Sequence, residues 1–156
     1  QKQHNAHFIF IGGNHDDIAK WQPWLLQAGI TTAVATFLAE LPLHETIEIM
    51  AASDLLIAPR TTDFGPETSL LDYMVTGIPV VAMHDGSRTP SLPAETVLFT
   101  SANANALAES VLELGGNSAR RLTLGVNGLE HVRRNHSFAA LKEAYRHCYE
   151  YVQRRQ

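Results

Sequence analysis

Short apolar runs alternate with stretches of helical periodicity along nearly the whole chain, and that alternation leaves few folds open. Phe8-Ile9-Phe10-Ile11 is uninterrupted and ends at Gly12-Gly13, the form of a parallel strand buried on both faces. A helix follows, started by Asp16 or Asp17, running through Trp21, Trp24, Leu25 and Ala28 and stopped at Gly29, with Pro23 in its first turns or bending them. Thr31 to Phe37 is β-branched and alternating and predicts a second strand. Pro42 and His44 lead into a helix carrying Ile47, Met50 and Ala51, and Leu55 to Ala58 is the third strand. After an irregular segment come a helix with a face of Leu70, Leu71 and Met74, a stop at Gly77, and a strand from Val80 to Met83. A loop from His84 to Pro93, a last strand at Thr96 to Thr100, and helices over 104–115, 118–133 and 137–153 complete the chain.

Parallel neighbours need crossovers of a dozen or more residues, and helices of that length separate the strands here. The pattern therefore predicts an α/β class chain, with a Rossmann-like parallel sheet flanked by helices. Ligands of such sheets bind at the carboxyl ends of the strands, which gathers the loops beginning at Gly12, Pro59 and His84 on one rim. No internal repeat or low-complexity tract divides the chain, so 1–156 reads as one domain.

Composition narrows the function classes. A chain of 156 residues can bury about two-thirds of its unfolded surface, enough for one core. The net charge is −4, and like charges run no further than doublets such as Arg120-Arg121 and Arg133-Arg134, which recommends no nucleic-acid partner. No apolar run approaches the roughly 18 residues of a transmembrane segment, and residues 1–12 lack the charged start and small-residue cleavage site of a signal peptide. A cytoplasmic location is expected. The one cysteine, Cys148, excludes an internal disulfide and reads as an ordinary thiol. Eight histidines show no ligand spacing: His44-Glu45 lacks a second histidine four positions on, and His4 and His7 fall in an expected mobile start, so no metal is expected. Ser53, Ser69 and Ser87 occupy no glycine-flanked elbow.

Candidate binding residues cluster after the third strand. Gly65, Pro66, Thr68 and Ser69 stand at a loop-to-helix start, where backbone N–H groups and hydroxyls suit a phosphate; capping of the helix explains Thr68 or Ser69 equally well. Arg60, directly after the strand, offers a guanidinium for two diphosphate oxygens or is a solvated surface arginine. Gly12-Gly13 lets a nucleotide approach the backbone or serves only as a tight turn, and the run Gly-Gly-Asn-His-Asp-Asp lacks the later glycine of the dinucleotide fingerprint. Asp85-Gly86 reads as a turn.

Leu71-Asp72-Tyr73-Met74 and Gly77-Ile78-Pro79-Val80-Val81-Ala82 resemble the signature of the C-terminal domain of group 1 (GT-B fold, family 4 type) glycosyltransferases. The likeness extends to Ile47 through Pro59, similar to the family's helix-then-strand approach to the site, and to the closing segments Ala106-Leu107-Ala108-Glu109, Gly125 to Val132 and His136-Ser137-Phe138. It implies a donor-binding domain that takes a UDP- or GDP-sugar as substrate, needs no cofactor or metal, transfers with retention, and works with an N-terminal acceptor-binding domain. Asp72 takes the position of the family's second motif carboxylate, which accepts hydrogen bonds from the ribose hydroxyls; two oxygens suit a vicinal diol. The position of the first carboxylate, which contacts the transferred sugar, holds Phe64, so the catalytic candidates are Glu67 and Asp63, and Glu67 also reads as a first-turn acid favoured by the helix dipole. In the family this domain opens with a strand and a basic loop that have no counterpart ahead of Phe8. Either the strands at 8–11 and 55–58 then pair directly, or a sheet edge is left open. Two other readings stay open: a noncatalytic interaction domain with a degenerate GT-B fold, to which Phe64 points, and a Rossmann-like regulatory domain whose ligand centres on Gly12.

Overall fold

A computed structural model describes residues 6–59, 68–84 and 92–154. The chain resolves into two compact units, Gln1–Ile49 and Met50–Gln156. Both are built as expected from parallel strands joined through helices, an α/β architecture.

The first unit holds β1 (Phe8–Ile11), α1 (His15–Gln27) and β2 (Ala35–Leu38), with β1 and β2 parallel and Phe8 opposite Ala35. Phe10 and Phe37, opposite each other in that register, stack at 4.7 Å between ring centroids. The strand expected from Thr31 begins at Ala35 because the Val34 and Ala35 N–H groups both donate to the Thr31 carbonyl, at 2.9 and 3.0 Å, closing a turn where the ladder would have started. Nor does α1 start at an aspartate: Asn14 is its N-cap, accepting from the Asp17 N–H at 2.9 Å while the Asp17 carboxylate accepts from the Asn14 N–H at 3.2 Å. This reciprocal capping box moves the start one residue ahead of the expected acids. Pro23 lies inside the helix, not in its first turn.

Burial departs from expectation in this unit. Ile9 and Phe10 are 46% and 50% exposed, and α1 buries none of its residues, with Trp24 72% exposed. Two paired strands are separated by only about 5 Å, less than the roughly 10 Å width of a helix, so a two-stranded ribbon covers little of a helix face. His7, expected in a mobile start, braces the ribbon instead, its ring within 2.8 Å of Thr36 Oγ1 and 3.3 Å of the Ala33 carbonyl.

The second unit carries the core. Its sheet has the order β3 (Leu56–Ala58), β4 (Val80–His84), β5 (Leu98–Ser101), all parallel, with Leu56 opposite Val80 and Val81 opposite Leu98. Among the described residues β1 pairs with β2 in a two-stranded sheet, and β3 pairs with β4 in the three-stranded one. Strand alternation sends Val80 and Ala82 to one face, packed with Met50, Leu56, Leu70, Met74, Leu92 and Val97, and Val81 to the other, packed with Leu114 and Leu124. The first layer is made by α3 (Thr68–Met74) and the end of α2 (Leu43–Ala51), the second by α4 (Ala104–Gly115) and α5 (Ser118–Asn135). The terminal α6 (Phe138–Gln153), capped by Ser137, buries none of its residues, and Cys148 on it is exposed. The last strand starts at Leu98, not Thr96, because Thr96 turns back: its N–H and hydroxyl both donate to the Pro93 carbonyl, at 2.9 and 2.6 Å.

Two glycines seat α5. A Cβ at Gly125 would lie 2.1 Å from the Gly77 carbonyl oxygen, and one at Gly128 would lie 3.1 Å from the Thr96 carbonyl oxygen. The helix backbone thus rests on both turns that lead into β4 and β5. Asn127 adds a hydrogen bond at 3.1 Å to the Glu95 carbonyl, and Arg121 donates to the Leu114 and Gly115 carbonyls at 2.6 and 2.9 Å, closing the end of α4.

In a helix, Gly125→Ala would ordinarily gain about 1 kcal/mol. Here the new methyl meets a backbone oxygen that cannot rotate away, and overpacking of that kind costs about 1–3 kcal/mol or more. Urea unfolding should show a net loss of about 2 kcal/mol for Gly125→Ala and no loss for Gly115→Ala, where no atom lies within 4 Å of the added carbon. Equal stability of the two variants would contradict the close approach.

The Asp17 carboxylate is held below its ordinary pKa, first by the Lys20 ammonium donating at 3.0 Å and then by the Asn14 N–H. A carboxylate whose folded pKa is depressed stabilises the fold above its unfolded pKa, and that contribution disappears as pH falls through the folded value. NMR titration of the Asp17 side-chain carboxyl should place its midpoint below the ordinary aspartate value, and Lys20→Met should raise it.

Candidate functional site

In the second unit β4 and β5 end level at His84 and Ser101 and β3 ends at Ala58, opposite Ala82, and this carboxyl rim is where an α/β sheet takes its ligand. The chain leaves β3, enters α3 at Thr68 and returns to the centre of the sheet as β4. Leu70 and Met74, four residues apart, hold α3 against the sheet. Asp72 lies about half a turn from both and is exposed, with no hydrogen bond or ion pair among the described residues. Ser69, one turn before it, is also exposed.

What fixes α3 relative to β4 is the turn between them. Gly77 adopts φ +75, and its N–H donates to the Met74 carbonyl at 3.1 Å. Thr76 works in both directions: its hydroxyl donates to the Tyr73 carbonyl at 2.7 Å and accepts from the Ile78 N–H at 3.2 Å. Pro79 is buried, and its carbonyl accepts from the Leu56 N–H at 2.9 Å, so the turn also begins the β3 ladder.

Of the expected site residues, Ser69 and Asp72 are thus brought to one exposed side of α3, which Thr68 begins. Arg60, Asp63, Phe64, Gly65, Pro66 and Glu67 lie outside the described residues. Gly12 and Gly13 belong to the other unit, where both have positive φ, +135 and +70. They carry the chain from β1 into α1, with Gly12 N–H donating to Leu38 and Glu40 N–H donating to the Gly13 carbonyl. The Asp17 side chain sits 3.3 Å from where a Gly13 Cβ would be, so a carboxylate already answers that helix start.

Sequence reasoning placed His84 in a loop. It is the last residue of the central strand, half-buried, with its ring edge-on to Phe99 at 6.2 Å. The only cue in the sequence was the two-residue alternation Val80, Ala82, His84, which continues the α3 face of the strand by one position past the apolar run.

A sheet rim, a short helix with an exposed carboxylate and a glycine-proline turn into the central strand mark the candidate site of an α/β domain. Residues 1–117 match the family of glycosyl transferases group 1. The chain belongs to that family. In structure it is similar to sucrose-phosphate synthase from Thermosynechococcus elongatus, with TM-score 0.71 and 22% identity over 95% of this chain and 39% of that one. It is also similar to HepE from Anabaena, solved in complex with UDP and glucose, with TM-score 0.69 and 18% identity over 91% of this chain and 40% of that one. The C-terminal domain of the group 1 family protein LpcC from Francisella tularensis matches with TM-score 0.63 and 14% identity over 85% of this chain and 86% of that domain. At these identities the likeness is one of fold, that of GT-B glycosyltransferase domains, and the chain spans only about two-fifths of sucrose-phosphate synthase and HepE. A search of curated protein sequences found no match. Among the described residues no helix is long and apolar enough to cross a membrane.

Thr76→Val keeps the shape of the side chain and removes both bonds made by the hydroxyl. It leaves the half-buried Ile78 N–H without its acceptor, so a loss of about 1–3 kcal/mol is expected in chemical denaturation. Thr76→Ser, which keeps the hydroxyl, should lose clearly less. Equal losses from the two variants would mean that the hydroxyl does not hold the turn.

Proposed function

We propose that this chain, its two compact units together serving as one domain over 1–156, is the donor-binding domain of a glycosyltransferase that moves a hexosyl group from a nucleoside diphosphate sugar to an acceptor, with retention and without a metal. One observation carries the reading: Asp72, an acceptor-only carboxylate, is exposed and unpaired among the described residues, on the helix whose sequence matches the donor-domain signature. Membership of the group 1 glycosyl transferases supports it. The complex of the structural neighbour HepE with UDP and glucose supports a nucleotide donor, UDP- or GDP-linked. In this reading Asp72 receives the ribose hydroxyls, while Ser69, Thr68, Gly65, Pro66 and Arg60 serve the diphosphate and Glu67 the transferred sugar. The acceptor is held by a further, N-terminal domain, the reaction is cytoplasmic, and 1–156 alone binds donor without turnover. Stabilising the departing diphosphate is the main chemical task of such a site.

A second reading, a noncatalytic interaction domain, is favoured by Phe64 at the position of the first motif carboxylate. Calorimetric titration of the full-length protein with UDP, GDP and ADP separates the two. The donor reading expects one of them to bind selectively and Asp72→Ala to weaken it by about 10- to 100-fold, the worth of hydrogen bonds to a charged group. Binding of none of the three would leave the noncatalytic reading, and binding indifferent to Asp72 would move the site to Gly12 and Gly13.

A further inference from the structure

The rim has a second polar group, on the strand and not on the helix. In β4 the side chains of Val80 and Ala82 pack toward α3, with Leu70 and Met74. Two residues further on, His84 falls on the same face, because strand side chains alternate. Its ring contact confirms the side independently: Phe99, the register partner of Ala82, packs with that same cluster and meets the His84 ring edge-on at 6.2 Å. His84 is therefore on the α3 side of the sheet, at the carboxyl end of the central strand, with Ser101 opposite it on β5. Ligands of an α/β sheet approach from this end.

We infer that His84 is a donor-positioning residue, its imidazole N–H hydrogen-bonded to a phosphate oxygen of the nucleoside diphosphate; this rests on the donor reading above. The chemistry divides cleanly between the two polar groups. Asp72 can only accept and so suits hydroxyls, whereas an imidazole can donate and so suits an anionic oxygen. An imidazole also has two ring nitrogens, so one can be oriented by the protein while the other meets the ligand. Phe99 limits where the ring can turn, and partial burial strengthens a hydrogen bond made there. The strand supplies a rigid mount, as a loop would not.

The test compares a nucleoside diphosphate with its own nucleoside on the full-length protein: UDP against uridine, or GDP against guanosine if GDP is the one that binds. His84→Ala should weaken the diphosphate by about tenfold and leave the nucleoside unchanged, since the lost bond is to phosphate. His84→Gln, which keeps an N–H donor of similar reach, should recover part of that loss. Asp72→Ala should weaken diphosphate and nucleoside alike. Unchanged nucleoside affinity in His84→Ala also reports an intact fold. If His84→Ala binds the diphosphate as tightly as the native protein while Asp72→Ala does not, His84 has no donor role and the donor reading stands. If His84→Ala weakens diphosphate and nucleoside equally, the phosphate contact is refuted. If no nucleotide binds the native protein, the donor reading fails and the inference with it.

Discussion

The second unit is organised by a contact between two pieces of backbone. The carbonyl of Gly77 occupies the space where residue 125 would carry a Cβ, and the carbonyl of Thr96 would lie in tight contact, 3.1 Å, with a Cβ at residue 128. Glycine in a helix costs about 1 kcal/mol relative to alanine, so α5 gives up stability of its own at two positions. The return is burial: with the helix this close, Leu124 joins Val81 and Leu114 on one face of the sheet while Val132 packs against the cluster on the other. Fully burying a side chain of leucine size contributes about 1.5–3 kcal/mol, which more than offsets one glycine. One helix thereby fixes both turns that feed β4 and β5.

The candidate site inherits its geometry from that contact. Gly77 ends α3 and Thr76 ties the end of the helix to the start of β4, so the helix bearing Asp72 and the strand bearing His84 are joined by a turn with few degrees of freedom. Apolar side chains occupy the middle of β4 because three layers pack there, and polarity returns at the last residue, where the layers end. The candidate polar groups sit where the packing requirement lapses. The same logic explains why Asp72 is exposed: the opposite side of its helix is committed to Leu70 and Met74.

The first unit shows what a narrow sheet does. Its first strand was expected to be buried on both faces, yet Ile9 and Phe10 stay about half exposed and α1 keeps its tryptophans in solvent. An apolar run identifies a strand but does not count its neighbours, and two strands offer too little width to cover a helix. What order the unit has comes from local devices: the Asn14–Asp17 capping box, the stacked pair Phe10 and Phe37, and the His7 bridge to β2.

By itself the sequence determined the order of strands and helices, the parallel class of the sheets and the family, because periodicity, glycine stops and the Leu71 to Ala82 signature are local properties of the chain. Asp72 was legible as a candidate for the same reason. Element starts were not, at Asn14, Ala35 and Leu98, because each is set by a hydrogen bond that competes with continuing the element: a capping box, and turns closed on Thr31 and Pro93. Only the tertiary structure gave Gly125 and Gly128 their purpose, since in sequence they look like weak points of a polar helix, and only it placed His84 on the rim. Both depend on what another segment, distant along the chain, presents to that residue, and a pattern read along one chain carries no record of that partner.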